Sequence, residues 1–275
     1  MRIFLAGGSG VIGSRLVPQL AEAGHHVTAT TRRAENVAHL RERGAAEGVV
    51  VDVFDAPRLA AVVHEAAPDL VLHELTDLGD FDTDANARIR RAGTANLVAA
   101  AEAAGVGRMM VQSIAWAYVP GEAPAVEDDP IEPGSAIEAM EDLVRRMPRA
   151  TVLRYGMLYG PGTWYAPGAR MAEAVTAGLV PATPAITSFV HLDDVITATV
   201  QAIDWPAGAY NIVDDEPAPA TEWLPRYAAG LAAPAPKVTA LPEETPRGRG
   251  AANAKARAAG WNPKYASWRQ GFPHP

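Results

Sequence analysis

Hydrophobic residues in the first 160 positions of the chain alternate between two spacings. Compact apolar runs, typical of buried parallel strands, occur at Arg2–Ala6, His26–Thr31, Gly48–Val51, Asp69–Leu75, Arg108–Ser113 and Thr151–Tyr155. Apolar residues at helical spacing predict helices from Val11 to Gly24, from Asp55 to Ala66 and over Asn86–Ala104. This alternation predicts an α/β fold with a Rossmann-type, doubly wound parallel sheet, because each crossover must cover a sheet face.

Beyond Pro161 the pattern loosens into connections rich in proline and glycine. A helix is predicted over His191–Asp204 and a short strand over Ala209–Val213. Two domains are expected, and their bounds are 1–160 with 191–213 for the larger one and 161–190 with 214–275 for a small C-terminal lobe. The lobe is expected to bind substrate.

The composition is ordinary for a globular protein, with 48% hydrophobic and 20% charged residues among 275. A net charge of −8 argues against nucleic-acid binding, because neutralising phosphates requires clustered Lys and Arg. The absence of cysteine excludes disulfides and thiolate catalysis. No apolar run approaches the roughly 20 residues of a membrane span, and the N-terminal run is too short for a secretory signal. A cytoplasmic protein without a membrane partner is expected.

The segment VHLDDV places His191 near Asp193 and Asp194. A carboxylate at the start of a predicted helix is typical of an N-cap, and His191 is expected to pack at the junction of the domains. The sequence therefore predicts no metal site.

A glycine cluster, GGSGVIG, follows the first predicted strand directly and opens the first predicted helix. It fits G-x-G-x-x-G at Gly8, Gly10 and Gly13, and G-x-x-G-x-x-G from Gly7. Glycine permits a tight turn and lets main-chain N–H groups approach a diphosphate, which a helix N-terminus favours. A plain strand-to-helix turn is the alternative, but the context favours a dinucleotide-binding loop. Its expected cofactor-binding residues are Gly7, Ser9, Gly10, Val11, Ile12 and Gly13.

The second predicted strand ends in Thr31-Arg32-Arg33, where an NAD-specific site usually carries Asp or Glu. A guanidinium at this position can pair with the 2′-phosphate of NADP(H), and Arg32 directly follows the strand. Ordinary solvated arginines are the alternative. Asp52, beside Val53, follows the third strand and could accept a hydrogen bond from adenine, although a structural turn is equally compatible. The sequence predicts NADP(H) as the cofactor.

Segments along nearly the whole chain resemble the short-chain dehydrogenase/reductase superfamily, specifically its atypical and extended branch of NAD-dependent epimerase/dehydratase-like proteins. The matching segments are GGSGVIG, VLHEL, GTANLVAAAEAAGV, VQSIAWAY, LRYGMLYGPG, FVHLDDV, YNIVDDEP and AKARAAGWNPKYASWRQGF. Together they are specific for the fold and much less specific for the reaction.

The resemblance implies a Tyr and a Lys four residues apart on the helix before the sixth strand. In this chain that helix is expected at Gly134–Arg146, and it contains neither residue. No Tyr lies between Tyr118 and Tyr155, and no Lys precedes Lys237. The usual proton relay therefore cannot form in its usual place.

The same resemblance supplies other candidates for the site. Ser113 matches the first serine of the family's serine pair, Tyr118 lies where family tyrosines line the substrate, and Tyr155 lies near the nicotinamide. The alternative for Ser113 is a buried serine bonded to the backbone. His73 is expected to shape the nucleotide pocket. Glu74 would act as an acid or base if it faces inward, and the alternative is a carboxylate that faces solvent or pairs with Arg.

Three functions remain open. The first is an NADPH-dependent oxidoreductase acting on a small carbonyl or conjugated substrate, with the proton supplied by Ser113, Tyr118, Tyr155 or water. The second is an epimerase, isomerase or dehydratase that retains its nucleotide, and the third is a non-catalytic NADP(H)-binding regulator. The short lobe disfavours a large nucleotide-sugar. The resemblance also implies a homodimer through the long helix and the Gly134–Arg146 helix.

Overall fold

A computed structural model describes residues 1–77 and 82–273 of the chain. The strands are β1 Arg2–Ala6, β2 His26–Thr31, β3 Glu47–Val50, β4 Leu70–His73, β5 Arg108–Ile114, β6 Arg149–Tyr155, β7 Met157–Tyr159, β8 Ile186–Thr187, β9 Phe189–His191, β10 Gly208–Ile212 and β11 Ala218–Pro219. The helices are α1 Gly13–Glu22, α2 Asn36–Glu42, α3 Ala56–Ala66, α4 Thr83–Arg88, α5 Thr94–Ala103, α6 Ala136–Arg145, α7 Arg170–Thr176, α8 Leu192–Ala202, α9 Ala220–Gly230, α10 Ala254–Ala258 and α11 Trp268–Gly271. A π-helical segment, Ile89–Gly93, joins α4 to α5.

Seven strands form the central sheet in the order β10-β6-β5-β4-β1-β2-β3. Strand β1 pairs in parallel with β2 and with β4, β2 pairs in parallel with β3, and β4 with β5. The chain builds outward from β1 to β3 and then returns to place β4 on the other side of β1. Ligands of such sheets bind where the strand order reverses, at the carboxyl ends of the strands. The predicted Rossmann-type α/β fold is confirmed, and its switch point lies between β1 and β4.

The chain forms two compact units. The first consists of Met1–Ser113, Glu132–Leu153 and Thr199–Ala209, and the second of Ile114–Ile131, Arg154–Ala198 and the residues from Tyr210 onward. The chain therefore passes between the units more often than the two expected domains imply. The functional division into a cofactor domain and a substrate lobe stays a prediction.

The core of the first unit is aliphatic. Strand residues such as Phe4, Val71 and Val111 pack with Val63 of α3 and Val98 of α5, and all five are buried. Helix α3 begins at the predicted place because the Asp55 side chain accepts a hydrogen bond from the Arg58 N–H (3.1 Å) and caps it. Burial of these side chains holds the carboxyl ends of β1 and β4 beside each other.

The core of the second unit is aromatic. Phe189 makes edge-to-face contacts with Tyr165 and Trp223, at 5.6 and 5.2 Å between ring centroids. Phe272 of the C-terminal segment joins the same cluster, 5.1 Å from the Phe189 ring. Such pairs add about 0.5–1.5 kcal/mol each to the burial of their surfaces. The cluster fixes the C-terminal segment onto β9 and α9.

The helix predicted over Asn86–Ala104 is helical through Ala103, but its middle, Ile89–Gly93, is π-helical and not α-helical. The helix is interrupted by the π-helical segment, and the Thr94 hydroxyl donates to the Ile89 carbonyl five residues earlier (3.4 Å). A π-helical turn holds one residue more than an α-helical turn, and such turns are frequent at functional sites. The spacing of apolar residues in the sequence does not reveal the extra residue of a π-helical turn. None of the helices in the described part of the chain is long and apolar enough to span a membrane.

Candidate active site

The turn that follows β1 requires glycine at two positions. Gly7 has φ +95°, and a Cβ there would lie 2.8 Å from the Glu74 carbonyl oxygen. A Cβ on Gly13 would lie 2.2 Å from the Gly7 carbonyl oxygen, so α1 packs directly onto the turn. By contrast, a Cβ on Gly10 would meet only the Gly7 oxygen, at 3.3 Å. That distance is shorter than an ordinary van der Waals contact, so a side chain at Gly10 would crowd one main-chain oxygen of the turn. Glycine leaves this space to a closely approaching ligand.

Main-chain N–H groups of the turn divide into two sets. Gly8 N–H donates to the Thr30 carbonyl (2.9 Å) and Gly10 N–H to the Gly7 carbonyl (3.1 Å). Within residues 1–77 and 82–273, the N–H groups of Val11 and Ile12 have no hydrogen-bond acceptor. They precede α1, whose first turn carries no acidic residue. Unsatisfied N–H groups at a helix N-terminus form a binding site for a diphosphate.

Two threonines connect the end of β2 to the glycine turn. The Gly7 N–H donates to Thr30 Oγ1 (3.2 Å), and the Ser9 hydroxyl donates to Thr31 Oγ1 (3.0 Å). Thr31 Oγ1 also accepts from the Arg33 N–H (3.2 Å). Hydroxyl groups therefore lie at the end of β2, beside the glycine turn.

The two arginines that follow β2 are exposed. Arg32 Nη1 lies 3.3 Å from Asp77 Oδ2, in an ion pair whose side chains are 55% and 36% exposed. An exposed pair of this kind contributes about 0–1 kcal/mol, so a phosphate can replace the carboxylate. The structure brings Ser9, Arg32 and Arg33 to the same edge of the sheet, through Thr31.

Asp52 and Val53 lie beyond the end of β3. Asp52 Oδ1 accepts the Phe54 N–H (2.9 Å), which is the structural turn named as its alternative. Val53 is buried and packs against Gly93, where an added Cβ would lie 3.0 Å from Val53 Cγ1. A role for these two residues at the adenine stays a prediction.

His73, the last residue of β4, is buried and neutral. Burial, with a smaller effect from Arg90, lowers the pKa of His73 to about 4. Its Nδ1 accepts the Leu75 N–H (3.3 Å), so Nε2 carries the hydrogen and donates it to Thr94 Oγ1 (2.9 Å). His73 therefore ties the end of β4 to the start of α5. Glu74 beside it is 7% exposed, which rules out the solvent-facing alternative.

Ser113, near the end of β5, donates its hydroxyl hydrogen to Glu141 Oε1 at 2.6 Å. Glu141 lies on α6, the helix without Tyr or Lys, and is fully buried. Its second oxygen accepts from Arg145 Nη2 at 2.5 Å. The three side chains form one connected hydrogen-bonded chain. The backbone-bonded alternative for Ser113 is not what the structure shows.

Sequence reasoning missed Glu141, although the chain carries a signal for it. Ile137, Met140 and Val144 mark the buried face of α6, and Glu141 lies within that stripe. A carboxylate on an apolar face must find partners, because an unpaired buried charge is costly. An Arg four residues later, at the favourable spacing for an ion pair, points to the first partner.

In the second unit, the Tyr118 phenol is hydrogen-bonded on both sides. Its hydroxyl donates to Asn211 Oδ1 (2.6 Å) and accepts from Arg154 Nη1 (2.7 Å). The Asn211 amide is oriented by donating its Nδ2 hydrogens to the carbonyls of Ala125 and Ala252. Burial raises the pKa of Tyr118, and the Arg154 guanidinium acts in the opposite direction. Arg154 and Asn211 were not among the sequence-predicted residues.

Tyr155, the last residue of β6, is 1% exposed, and its carbonyl accepts the Ala115 N–H at 2.8 Å. This bond connects the end of β6 to the segment that follows β5. The catalytic roles of Ser113, Tyr118 and Tyr155, and the cofactor contact of Tyr155, stay predictions.

In the VHLDDV segment, Asp194 has a structural role. Asp194 accepts the main-chain N–H groups of Lys264 and Tyr265, at 2.6 and 2.9 Å. The His191 ring stacks on Tyr265, with 3.8 Å between ring centroids. Across residues 1–77 and 82–273, no group of three or more His, Asp or Glu side chains is placed to hold a metal ion.

Known proteins match both the sequence and the fold. The model of the NAD dependent epimerase/dehydratase family matches residues 3–213. The chain is similar to 3-diazoavenalumate denitrifying reductase of a Streptomyces species, with 40% identity over 306 residues, which covers 99% of this chain and 99% of that protein.

Solved structures show the same fold at lower identity. The Thermotoga maritima UDP-glucose 4-epimerase, solved with UDP-glucose, matches 98% of this chain and 96% of its own, with a TM-score of 0.80 and 21% identity. The enzyme WbmG of Bordetella bronchiseptica, solved with NAD and UDP, matches 98% and 92%, with a TM-score of 0.81 and 22% identity.

The family match and the full-length relative confirm the superfamily resemblance and the expectation of an enzyme that uses a nicotinamide dinucleotide. The glycine turn and the free N–H groups before α1 fit that cofactor. With its family model matched over most of its length and a relative similar from end to end, the chain belongs to the NAD-dependent epimerase/dehydratase family.

Proposed function

We propose that this protein is an NADPH-dependent reductase that replaces a carbon-bound dinitrogen group of a small substrate with hydride. The observation that carries the proposal is the hydrogen bonding of Ser113 and Tyr118, whose hydroxyl hydrogens are donated to Glu141 and Asn211. Two of the three side chains expected to supply a proton are therefore engaged internally. This arrangement favours a reaction that needs no proton donor.

Hydride displacement of dinitrogen meets that requirement. A diazonium carbon accepts the hydride and its two electrons, the carbon–nitrogen bond breaks, and the products are a C–H bond, N₂ and NADP⁺. Charge and atoms balance without a proton. Reduction of a carbonyl would require one. The full-length similarity to a diazo-substrate reductase supports this substrate class over the small carbonyl or conjugated substrate predicted from the sequence.

The choice of NADPH rests on the end of β2. Thr31 stands where a carboxylate would select NAD, and Arg32 and Arg33 offer guanidinium groups to the 2′-phosphate. The N–H groups of Val11 and Ile12 would hold the diphosphate. When bound, the nicotinamide supplies the hydride.

The protein's own side chains would hold the site rigid and exchange no proton. Ser113, with its hydrogen on Glu141, keeps only acceptor lone pairs for a ligand. The Tyr118 phenol, fixed by Arg154 and Asn211, presents a rigid aromatic ring. Neutral His73 holds β4 against α5 and introduces no charge near the reacting carbon.

The test is single-turnover chemistry with 4-deuterated NADPH and a benzenediazonium salt. We expect deuterium from one face of the nicotinamide only, one N₂ for each NADPH oxidised, and benzene carrying one deuterium. Reactions without protein correct for direct reduction by the coenzyme. Tight nucleotide retention without NADPH consumption would favour an epimerase or dehydratase instead. Binding of NADPH without turnover of any diazonium would favour a regulator.

A further inference from the structure

The second unit contains a cavity of about 120 Å³ beside the segment that follows β5. Its wall includes Ala115, Trp116, Tyr118, Met157, Ile186 and Arg249. Ala115 directly follows Ile114, the last residue of β5, so the cavity begins one residue beyond that strand. All of these residues belong to the second unit.

The volume limits what the cavity can hold. A dry cavity of about 150 Å³ engineered in another protein binds one benzene molecule. Pockets that enclose drug-sized ligands run from about 300 to 1,000 Å³. A cavity of about 120 Å³ is therefore of the size of one six-membered ring and far smaller than a nucleotide-sugar requires.

The wall chemistry favours a flat apolar ring. Trp116 is 53% exposed, although an indole of its size is usually buried. Met157 and Ile186, on β7 and β8, add apolar surface, and the thioether of a methionine makes favourable contacts with aromatic rings. An exposed indole beside such a cavity provides a stacking surface for an aromatic ligand.

Arg249 supplies a polar end to the cavity. Its Nε donates to the Ala123 carbonyl (2.7 Å), and its Nη2 lies 2.5 Å from Asp129 Oδ2. These two contacts hold the guanidinium in place. The guanidinium packs on Gly121, where a Cβ would lie 2.6 Å from Nη1. Within the described ranges, Nη1 has no hydrogen-bond acceptor, so its N–H groups are those left for a ligand oxygen.

We propose that this cavity is the substrate subsite and takes a single aromatic ring bearing an oxygen acceptor, such as a carboxylate. The inference rests on the proposed function, because it names the substrate class of the same reductase. The ring stacks on Trp116 and its oxygen accepts from Arg249. A nucleoside-diphosphate sugar does not fit this subsite.

The test is calorimetric titration of the full-length protein with benzoate, cyclohexanecarboxylate and benzylammonium, alongside NADPH. We expect saturable binding of benzoate and at least about tenfold weaker binding of the other two probes. Ile186→Phe, which fills the cavity, and Trp116→Ala, which removes the stacking surface, should each weaken benzoate by at least about tenfold. Leu179→Ala, at an apolar side chain that is 74% exposed and outside the cavity, is the matched control and should leave it unchanged. NADPH affinity should be the same in all variants.

Three results would overturn the ring subsite. The first is equal affinity for benzoate and cyclohexanecarboxylate, and the second is an equal effect of Ile186→Phe and Leu179→Ala on benzoate affinity. The third is a protein that binds NADPH but does not bind benzoate. If benzoate follows the expected pattern but NADPH does not bind, the ring subsite stands and the reductase proposal fails.

Discussion

The hydroxyl of Ser113 donates its hydrogen to the carboxylate of Glu141 across 2.6 Å, and Glu141 is fully buried. Ser113, a candidate proton donor on a strand, is thus bonded to a helix residue that sequence patterns did not single out. The pair joins β5 to α6.

Removing the charge of Glu141 should destabilise the fold. We expect Glu141→Gln to lower the free energy of unfolding by about 1–3 kcal/mol, because it weakens two hydrogen bonds of a buried group. Asp142→Asn is the matched control, since Asp142 is exposed and contacts the same arginine, Arg145, at 3.2 Å. It should change stability by less than about 0.5 kcal/mol. Urea denaturation measures both, and equal losses would show that Glu141 is not the residue that joins the two elements.

Gly10→Ala should separate binding from folding. The added Cβ would lie 3.3 Å from the Gly7 carbonyl oxygen, a close contact that a small shift relieves, so the free energy of unfolding should fall by no more than about 1 kcal/mol. The methyl group would occupy the surface that a diphosphate approaches, and NADPH affinity should fall by at least about tenfold. Gly107→Ala, with nothing within 4 Å of its Cβ, is the control. Fluorescence titration with NADPH measures the affinity of both variants. Unchanged affinity in Gly10→Ala would place the cofactor elsewhere.

Arg32→Asp should reverse the cofactor preference. The loss of a charge-assisted hydrogen bond to the 2′-phosphate corresponds to about 1.5–3 kcal/mol, or roughly 10–100-fold in the Kd of NADPH. NADH affinity should stay the same or improve. Arg58→Asp, the same change at an exposed position on α3, should alter neither. Parallel titrations with both coenzymes measure the ratio, and similar ratios in the two variants would remove Arg32 from the site.

The ion pair between Arg32 and Asp77 allows a second test of Arg32 as a phosphate-binding residue, in which NADPH affinity is expected to rise. Asp77 competes with the phosphate for the guanidinium, since Nη1 and Oδ2 lie 3.3 Å apart. Asp77→Asn should therefore tighten NADPH binding, whereas weaker binding would indicate that Asp77 positions Arg32 and does not compete.

Buried His73 should make stability rise with pH in the acid range. Its pKa is lowered from 6.5 to about 4, so in that window the unfolded chain binds a proton that the folded chain excludes. The free energy of unfolding should increase by at most about 1.4 kcal/mol per pH unit from this residue. His73→Gln should reduce the slope, and His64→Gln, at an exposed histidine, should retain it. Urea denaturation between pH 4.5 and 7 compares them; identical slopes would show that His73 titrates normally.

Buried Asp214 should make the free energy of unfolding change with pH in the direction opposite to that of His73. Burial raises the pKa of Asp214 from 3.8 to about 8, although the Glu216 and Trp268 N–H groups act in the opposite direction. Between these values the folded chain keeps a proton that the unfolded chain releases, so stability should fall as pH rises. Asp214→Asn should flatten this decline relative to Glu243→Gln, an exposed control. Denaturation curves from pH 5 to 8 measure it, and a decline that persists in Asp214→Asn would assign it to another group.

Local signals in the sequence predicted a large part of the sheet. Strands β1 and β2 begin and end where their apolar runs do, and α3 begins after its Asp55 cap. These features depend on neighbouring residues only, so a single sequence reveals them. The glycine turn belongs to the same class, because its spacing and its position between a strand and a helix are both local.

Long-range pairings were beyond sequence reasoning. The Tyr118 phenol is bound by Arg154 and Asn211, which lie 36 and 93 positions away along the chain. No spacing rule connects such residues, since only the folded sheet brings them together. The bond from Ser113 to Glu141 spans 28 positions and has the same origin. The candidate residues were therefore predictable by type, while their partners required coordinates.

The π-helical turn at Ile89–Gly93 is connected to the coenzyme preference proposed above. Deleting one of its residues would rotate the preceding helix by about 100°, and Asn86, whose Oδ1 accepts the Asp77 N–H (3.2 Å), would lose that contact. Asp77 is the carboxylate that pairs with Arg32. If Arg32 binds the 2′-phosphate as proposed, gain or loss of a single codon in this helix would change the preference between NADPH and NADH without altering any residue proposed to touch them.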